Sequence, residues 1–252
     1  MPLKISLNNS VCIATINRAK ARNAINFELM DLFESLLDEL EKNDDIRVFI
    51  LTGTGSSFIS GGDLREFHQI KEAESARKMG KRMHMILQRI ENLPCWTLAA
   101  VNGYAYGGGW EIMLAFDFRV AVQHAVFGFT QGKFYLPPGW GGLTRLAYSV
   151  GRNRALWLLA NQKIIDADEA FRIGLINHIY SEKNFTDSLS ELADQLSEND
   201  RIYIRHLKEK SLPDQHLFYQ RISAELKPFG QFWENEEHIR RVNSFLEKNN
   251  RQ

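Results

Sequence analysis

The stretch from Val101 to Phe116 constrains this chain more than any other: an apolar run ends at Val101, Gly107, Gly108 and Gly109 follow within a few residues, and Trp110, Glu111 and the apolar run Ile112 to Phe116 come next. A strand that ends near Val101 and a helix that starts inside the glycines require a tight turn, which glycine permits. Glu111 is the one carboxylate in an otherwise apolar helix. In the first turn of a helix several backbone N–H groups have no partner within it, so Gly108 can present a donor to a ligand oxygen. Glu111, three positions on, shares that helix face and would be placed for proton transfer to the same ligand. The plainer reading, an acid that complements the helix macrodipole, is weakened by Gly108, which has no hydroxyl to complete a capping box, and by surroundings that predict burial.

At 252 residues the chain can bury the core of one α/β domain, or of one domain with an appendage. Lys plus Arg and Asp plus Glu both number 31, so the formal charge is zero and no global electrostatic attraction to nucleic acid or a membrane surface exists. A small-molecule ligand is expected instead. Cys12 and Cys95 form no CxxC pair and the seven histidines show no metal-ligand spacing, which predicts reduced thiols, no metal and a cytoplasmic location. The N-terminus lacks a basic region followed by an apolar segment, and the apolar neighbourhood of residues 93–116 is interrupted by Asn102, glycines and Glu111, so no membrane span is expected.

Along the chain, alternation predicts strands Leu3 to Leu7 and Val11 to Ile16 as a hairpin, followed by a basic loop from Asn17 to Asn26. Helical spacing runs from Phe27 to Leu40 and again from Ala73 to Leu93, where Pro94 stops it. Arg47 to Thr52 and Trp96 to Val101 read as buried strands, Asp117 to Val122 as another, and Val126 to Trp140 as an irregular, aromatic-rich segment shaping a pocket wall. Short helices are predicted at Gly141 to Val150 and Arg152 to Ala160. A further helix, capped by Asp166, runs to Phe171, and a last strand covers Leu175 to Ile179. From Phe185 onward the pattern is helical, with breaks at Leu212-Pro213 and Lys227-Pro228-Phe229-Gly230.

A second glycine turn, Gly61-Gly62, follows the strand at 47–52. It is no phosphate-binding P-loop, because Asp63 stands where Gly-Lys-Ser/Thr would be needed. If the strands at 47–52 and 96–101 and the helix between them form one right-handed βαβ unit, both glycine turns follow the carboxyl ends of parallel strands and lie on one edge. The N–H groups of Gly62 and Gly108 can then converge on one oxygen, the geometry of an oxyanion hole.

Taken together, Ile16-Asn17-Arg18 with Asn23-Ala24-Ile25, Leu51-Thr52-Gly53 through Gly61-Gly62-Asp63-Leu64, and Asn102-Gly103-Tyr104-Ala105 with the glycine triplet and Glu111 resemble the crotonase superfamily, the enoyl-CoA hydratase/isomerase family. The resemblance continues through Asp117, Phe127-Gly128, Pro138, Gly141-Gly142, Thr144-Arg145-Leu146 and Gly174-Leu175. It implies an α/β fold, a crotonase-like spiral of ββα turns over residues 1–184 with a C-terminal helical trimerisation region over 185–252. It also implies a homotrimer or dimer of trimers, an acyl-CoA thioester as ligand, and no cofactor beyond the coenzyme A of the substrate. Gly62 and Gly108 match the family's oxyanion donors, and Glu111 its catalytic glutamate. Lys20 and Ala21 match an adenine-side contact, and Arg65 a position where a basic residue often faces CoA phosphates; surface solvation is the alternative for both cations.

One departure from the hydratase pattern stands out: the position of the family's second glutamate holds Gln131, and an amide cannot act as a general base. Glu111 is then the sole acid/base candidate, with Gln131 orienting water or substrate. Hydration and isomerisation both ordinarily use the missing carboxylate, whereas decarboxylation requires chiefly that an enolate be held. Trp140-Gly141-Gly142 with Thr144-Arg145-Leu146 is similar to a decarboxylase branch acting on branched malonyl-CoA derivatives, and a non-catalytic CoA-binding or assembly protein is the alternative from another class. Lys133 and Tyr135 either assist a substrate carboxylate or decorate a surface turn. Arg240-Arg241 replace the Glu-Gly often found in the family's closing segment.

Overall fold

The computed structural model describes residues 1–211 and 214–249. Strands β1 (Leu3–Asn8) and β2 (Val11–Ile16) pair antiparallel with Leu3 opposite Ile16, turning at Asn9, whose φ of 51° is one that asparagine tolerates. Helix α1 (Phe27–Lys42) is capped by Asn26, whose side chain accepts from the Leu29 N–H. It buries Leu29, Phe33, Leu36, Leu37 and Leu40 on the single stripe that the spacing predicts.

Three successive passes then build the body of the molecule. The first comprises β3 (Val48–Gly53), the short β4 (Ser57–Ile59), α2 (Leu64–Phe67) and α3 (Ala73–Asn92). The second is β5 (Trp96–Val101), β6 (Tyr104–Tyr106) and α4 (Gly108–Met113). The third is β7 (Phe118–Val122), β8 (Val126–Gly128), α5 (Gly142–Val150) and α6 (Arg152–Ala160). Each pass places its first strand in one sheet and its second in another. The six-stranded sheet has the order β1-β2-β3-β5-β7-β10 and the four-stranded sheet β4-β6-β8-β9, where β9 is Ile164–Asp166 and β10 is His178–Tyr180. From β2 to β10 every neighbouring pair in the large sheet is parallel, as is β4 with β6 and β6 with β8. The result is the spiral of ββα turns. Strand β5 is buried along its whole length, which is why it reads as an apolar run broken only by Thr97, whose hydroxyl donates to Asp117.

Several boundaries differ from the sequence reading. The segment 126–140 is not wholly irregular: it contains β8 and a 3₁₀ turn at Gln131–Phe134. The strands of the small sheet span three residues each, too few for alternation to register. The last strand starts at His178 rather than Leu175, because Leu175 and Ile176 are buried in the main core at the end of α7 (Ala167–Arg172). Asp166 does cap α7, accepting from the Glu169 N–H.

The C-terminal helices are α8 (Phe185–Ser197), α9 (Arg201–Ser211), α10 (Gln215–Leu226), α11 (Phe229–Trp233) and α12 (Glu236–Asn249). The predicted break at Lys227–Gly230 falls between α10 and α11, the break at Leu212-Pro213 lies outside the described residues, and an unpredicted one separates α8 from α9. Helix α8 covers the second face of the large sheet, where Leu189 and Ala193 meet Val48, Ile50, Leu98 and Val120. Lys208 of α9 donates to Asp117 at 2.7 Å. Helix α11 packs on α3, α10 on α5, and α12 on the 131–134 turn. Among the described residues no helix is long and apolar enough to cross a membrane.

Candidate active site

The two glycine turns meet because β4 and β6 are paired. The first is scaffolded from the basic loop: the Asn23 amide donates to Ser57 O at 2.7 Å and Thr54 O at 2.9 Å, and Arg18 reaches Asp63 at 2.9 Å. Ile25 forms a parallel bridge with Gly62, donating to Gly61 O at 2.9 Å and accepting from the Asp63 N–H at 2.7 Å. In such a bridge the central residue's own N–H faces away from its partner, so the Gly62 donor points to the opposite side. In the second turn Gly107 takes φ +51°, which favours glycine, and starts α4. A Cβ at Gly61 would lie 3.4 Å from the Gly108 nitrogen, which measures how closely the turns approach. Among the described residues no hydrogen bond within the chain engages the N–H of Gly62 or of Gly108.

Two aromatic rings wall these donors. A side chain at Gly108 would place its Cβ 1.9 Å from the Trp140 ring, and one at Gly62 would come within 2.8 Å of Phe67 and 3.5 Å of Trp140. Glycine at 108 is therefore required by the indole, whereas the turn itself makes its demand on Gly107.

Glu111 is 2 % exposed, one turn of α4 beyond Gly108. Its Oε2 accepts from the N–H groups of Trp140 at 2.9 Å and Gly142 at 3.0 Å; its Oε1 accepts from Gly139 N–H at 3.2 Å and from the Gln131 amide at 3.1 Å. Burial raises the proton affinity of the carboxyl and the four donors oppose that rise, leaving the net direction upward. Gln131 in turn accepts from the Trp110 indole N–H at 3.2 Å, which fixes its amide oxygen toward Trp110 and its NH₂ toward Glu111. An amide suits this place because it must accept on one side and donate on the other.

The remaining predicted residues lie farther out. Lys20 is exposed and Ala21 half-buried in a 3₁₀ turn at Ala19–Ala21, and Ala19 sits 3.5 Å from a Cβ built at Gly55 in the β3–β4 turn. Arg65 is exposed in the first turn of α2, its backbone N–H bound to Asp63. Lys133 is exposed, and Tyr135, also exposed, is flanked by Arg241, whose guanidinium carbon is 5.6 Å from the ring centre, and by Phe232. Arg241 also donates to Gly132 O at 2.9 Å, so α12 braces the turn that carries Gln131.

Two charged residues were not picked out for the site. Arg145 is buried, bidentate to Glu91 at 2.7 and 2.8 Å, and donates to Trp140 O at 2.9 Å. Glu225 of α10 accepts from the Thr144 N–H at 3.1 Å. In the sequence it is one more acid on a helix, with no local signal of burial. Among the described residues no group of three or more His, Cys, Asp or Glu side chains could hold a metal ion.

The family model for enoyl-CoA hydratase/isomerase matches residues 6–252. The chain belongs to the enoyl-CoA hydratase/isomerase family. It is 32% identical over 240 residues to a short-chain-enoyl-CoA hydratase of Clostridium acetobutylicum, covering 94% of this chain and 92% of the relative. A crotonyl-CoA hydratase of Syntrophomonas wolfei is 31% identical over the same shares. The crystal structure of an enoyl-CoA hydratase from Bacillus anthracis superposes with a TM-score of 0.81 at 28% identity, covering 98% of this chain and 97% of that one. This is an acyl-CoA enzyme of the crotonase superfamily, with that superfamily's fold.

Proposed function

We propose that this family member acts on a short-chain enoyl-CoA, holding the thioester oxygen between the N–H groups of Gly62 and Gly108 and using Glu111 as its acid/base. The observation that carries this reading is the pair of unengaged backbone donors at adjoining turns, with a buried carboxyl one helical turn away. Hydration adds the oxygen of water to the β-carbon of the enoyl group while the Glu111 carboxylate accepts the water proton, and the same carboxyl returns that proton to the α-carbon of the enolate, whose oxygen the two donors stabilise. Losing one such donor typically costs about 2.7–4 kcal/mol in the transition state. A carboxyl with raised proton affinity is suited to deliver the α-proton near neutral pH. The Trp140 and Phe67 rings stand close against the two donors, and the names of the Clostridium and Syntrophomonas relatives favour short chains. Lys20, Ala21 and Arg65 are assigned to the coenzyme A moiety, and the C-terminal helices to assembly as a trimer or a dimer of trimers.

A second reading is decarboxylation of a branched malonyl-CoA derivative, which Gln131 favours: the Glu111 oxygens already take four donors, and no second carboxylate stands at position 131 to activate water. Carbon dioxide then leaves from the α-carbon and Glu111 returns a proton to the resulting enolate. Incubating the protein with crotonyl-CoA, a 3-enoyl-CoA and methylmalonyl-CoA separates the reactions. Hydration of crotonyl-CoA is the expected result, release of carbon dioxide from methylmalonyl-CoA alone transfers the assignment to the second reading, and saturable binding without turnover on any of the three defeats both.

A further inference from the structure

The Glu111 carboxyl is not held by its own helix but by a short piece of chain. The amides of residues 139, 140 and 142 all point at Glu111, and the Thr144 N–H, in the first turn of α5, points at Glu225. The turn is therefore laid between two carboxyl groups, one from α4 and one from α10. Its position leaves no slack on the Glu111 side, because a Cβ at Gly142 would fall 2.5 Å from Glu111 Cγ. On the other side, the second Glu225 oxygen, Oε1, is buried without a hydrogen-bond partner and lies 3.5 Å from a Cβ built at Gly141. A buried carboxylate oxygen with no donor is costly, whereas a protonated carboxyl needs fewer partners.

We propose that Glu225 is a positioning residue for Glu111: it anchors the 139–144 turn whose amides orient the Glu111 carboxyl, and its own protonation sets the charge that Glu111 experiences. This rests on Glu111 being the acid/base of the reaction. Burial pushes the Glu225 carboxyl up to about 8, and the Glu111 charge across the turn adds to that rise. The other charges around it come from two packed helices. Arg145 of α5 counters the rise, but its guanidinium is shared with Glu91 of α3. His84 of α3 is held neutral, pushed down to about 4 by burial and by Arg145. Tyr219 of α10 is pushed up to about 12, chiefly by burial, and stays neutral as well; Tyr148 of α5 is 44% exposed against Phe218. As pH rises through the Glu225 transition a negative charge appears beside Glu111, which raises the proton affinity of Glu111 in turn.

The test compares wild type, Glu225→Gln and Glu225→Ala by the pH dependence of kcat and KM on crotonyl-CoA, alongside ¹³C titration of the glutamate carboxyl carbons, with Glu111→Gln used to assign the Glu111 signal. Glu225→Ala is expected to lower kcat at least tenfold while KM changes less than threefold. Glu225→Gln keeps an acceptor for Thr144 N–H and should recover most of that loss below pH 7, yet lack the wild-type inflection near pH 8. Wild-type kcat and an intact inflection in Glu225→Ala would overturn the proposal, as would an inflection retained in Glu225→Gln. Should wild type fail to turn over crotonyl-CoA, the function assignment fails by itself, and the carboxyl titration still decides this one. The Glu225 signal, assigned by its loss in Glu225→Gln, should titrate lower in Glu111→Gln, where the Glu111 charge is gone; an unmoved midpoint overturns the coupling.

Discussion

Two regions of this molecule use the same residue types to opposite ends. On the outer face between α1 and α3, Arg82 pairs with Asp31 and Glu34, and Arg89 with Asp38 and Glu41, in a ladder whose arginine side chains are about a third exposed and whose aspartates are mostly exposed. In the interior, Arg145, Glu91, Glu111 and Glu225 crowd around the 139–145 turn with hardly any solvent. Water and salt screen the outer charges, so their pairing adds little to stability. Inside, each charge has to be matched by a specific donor or neutralised by a proton, and that requirement is what tunes a carboxyl for chemistry. Position in the dielectric, rather than residue type, separates a surface ladder from a reactive centre.

The contrast is sharpened most by Glu111→Gln, which keeps the shape of the side chain and removes its proton transfer. A fall in kcat of about 10²–10⁴-fold is expected, that being the range general acid–base groups contribute, with a circular dichroism spectrum like that of wild type. Turnover equal to wild type on the true substrate would strip the interior region of its catalytic role. Next in size is Arg145→Leu, which strands Glu91 and frees the Trp140 and Gly141 carbonyls. Breaking a buried pair in this way is expected to cost about 3–5 kcal/mol, read from urea unfolding midpoints. The double replacement with Glu91→Leu should destabilise less than the single one.

A third measurement concerns pH. The folded-state proton affinity of Glu225 lies near 8 against an ordinary value of 4.5, so its contribution to stability is full below about pH 4.5 and is lost as pH rises toward 8. Wild type should therefore lose stability across that window with a slope of up to ~1.4 kcal/mol per pH unit from this group. Glu225→Gln should show a flatter profile in thermal unfolding. The smallest effect belongs to the outer ladder. Arg89→Ala should cost less than about 1 kcal/mol and less still in high salt, and a loss as large as that of Arg145→Leu would erase the distinction between the two regions.

Much of the scaffold was legible because it follows from periodicity. The α1 stripe from Leu29 to Leu40, the α3 stripe from Met79 to Ile90 and the apolar β3 and β5 runs each announce one buried face. The small sheet was not legible, since Ser57–Ile59 and Tyr104–Tyr106 are too short to show a period and exist only because they lie side by side. Within the candidate site, the glycine turns and Glu111 stood out as local anomalies. Arg145 appeared only as part of a motif, with nothing to mark its burial, and Glu225 gave no signal, since neighbours from distant segments create its environment.

By itself the sequence determined the family, the order of strand and helix, and the identity of the two glycine turns, because those depend on short-range spacing and on residues that only glycine can replace. Tertiary structure alone decided that Gln131 would bridge Trp110 to Glu111, that three amides of the 139–142 segment would grip one carboxyl, and that a C-terminal helix would bring Glu225 to the far side of that segment. Proton affinity is set by burial and by the nearest charges, and both come into being only when segments far apart along the chain are packed together.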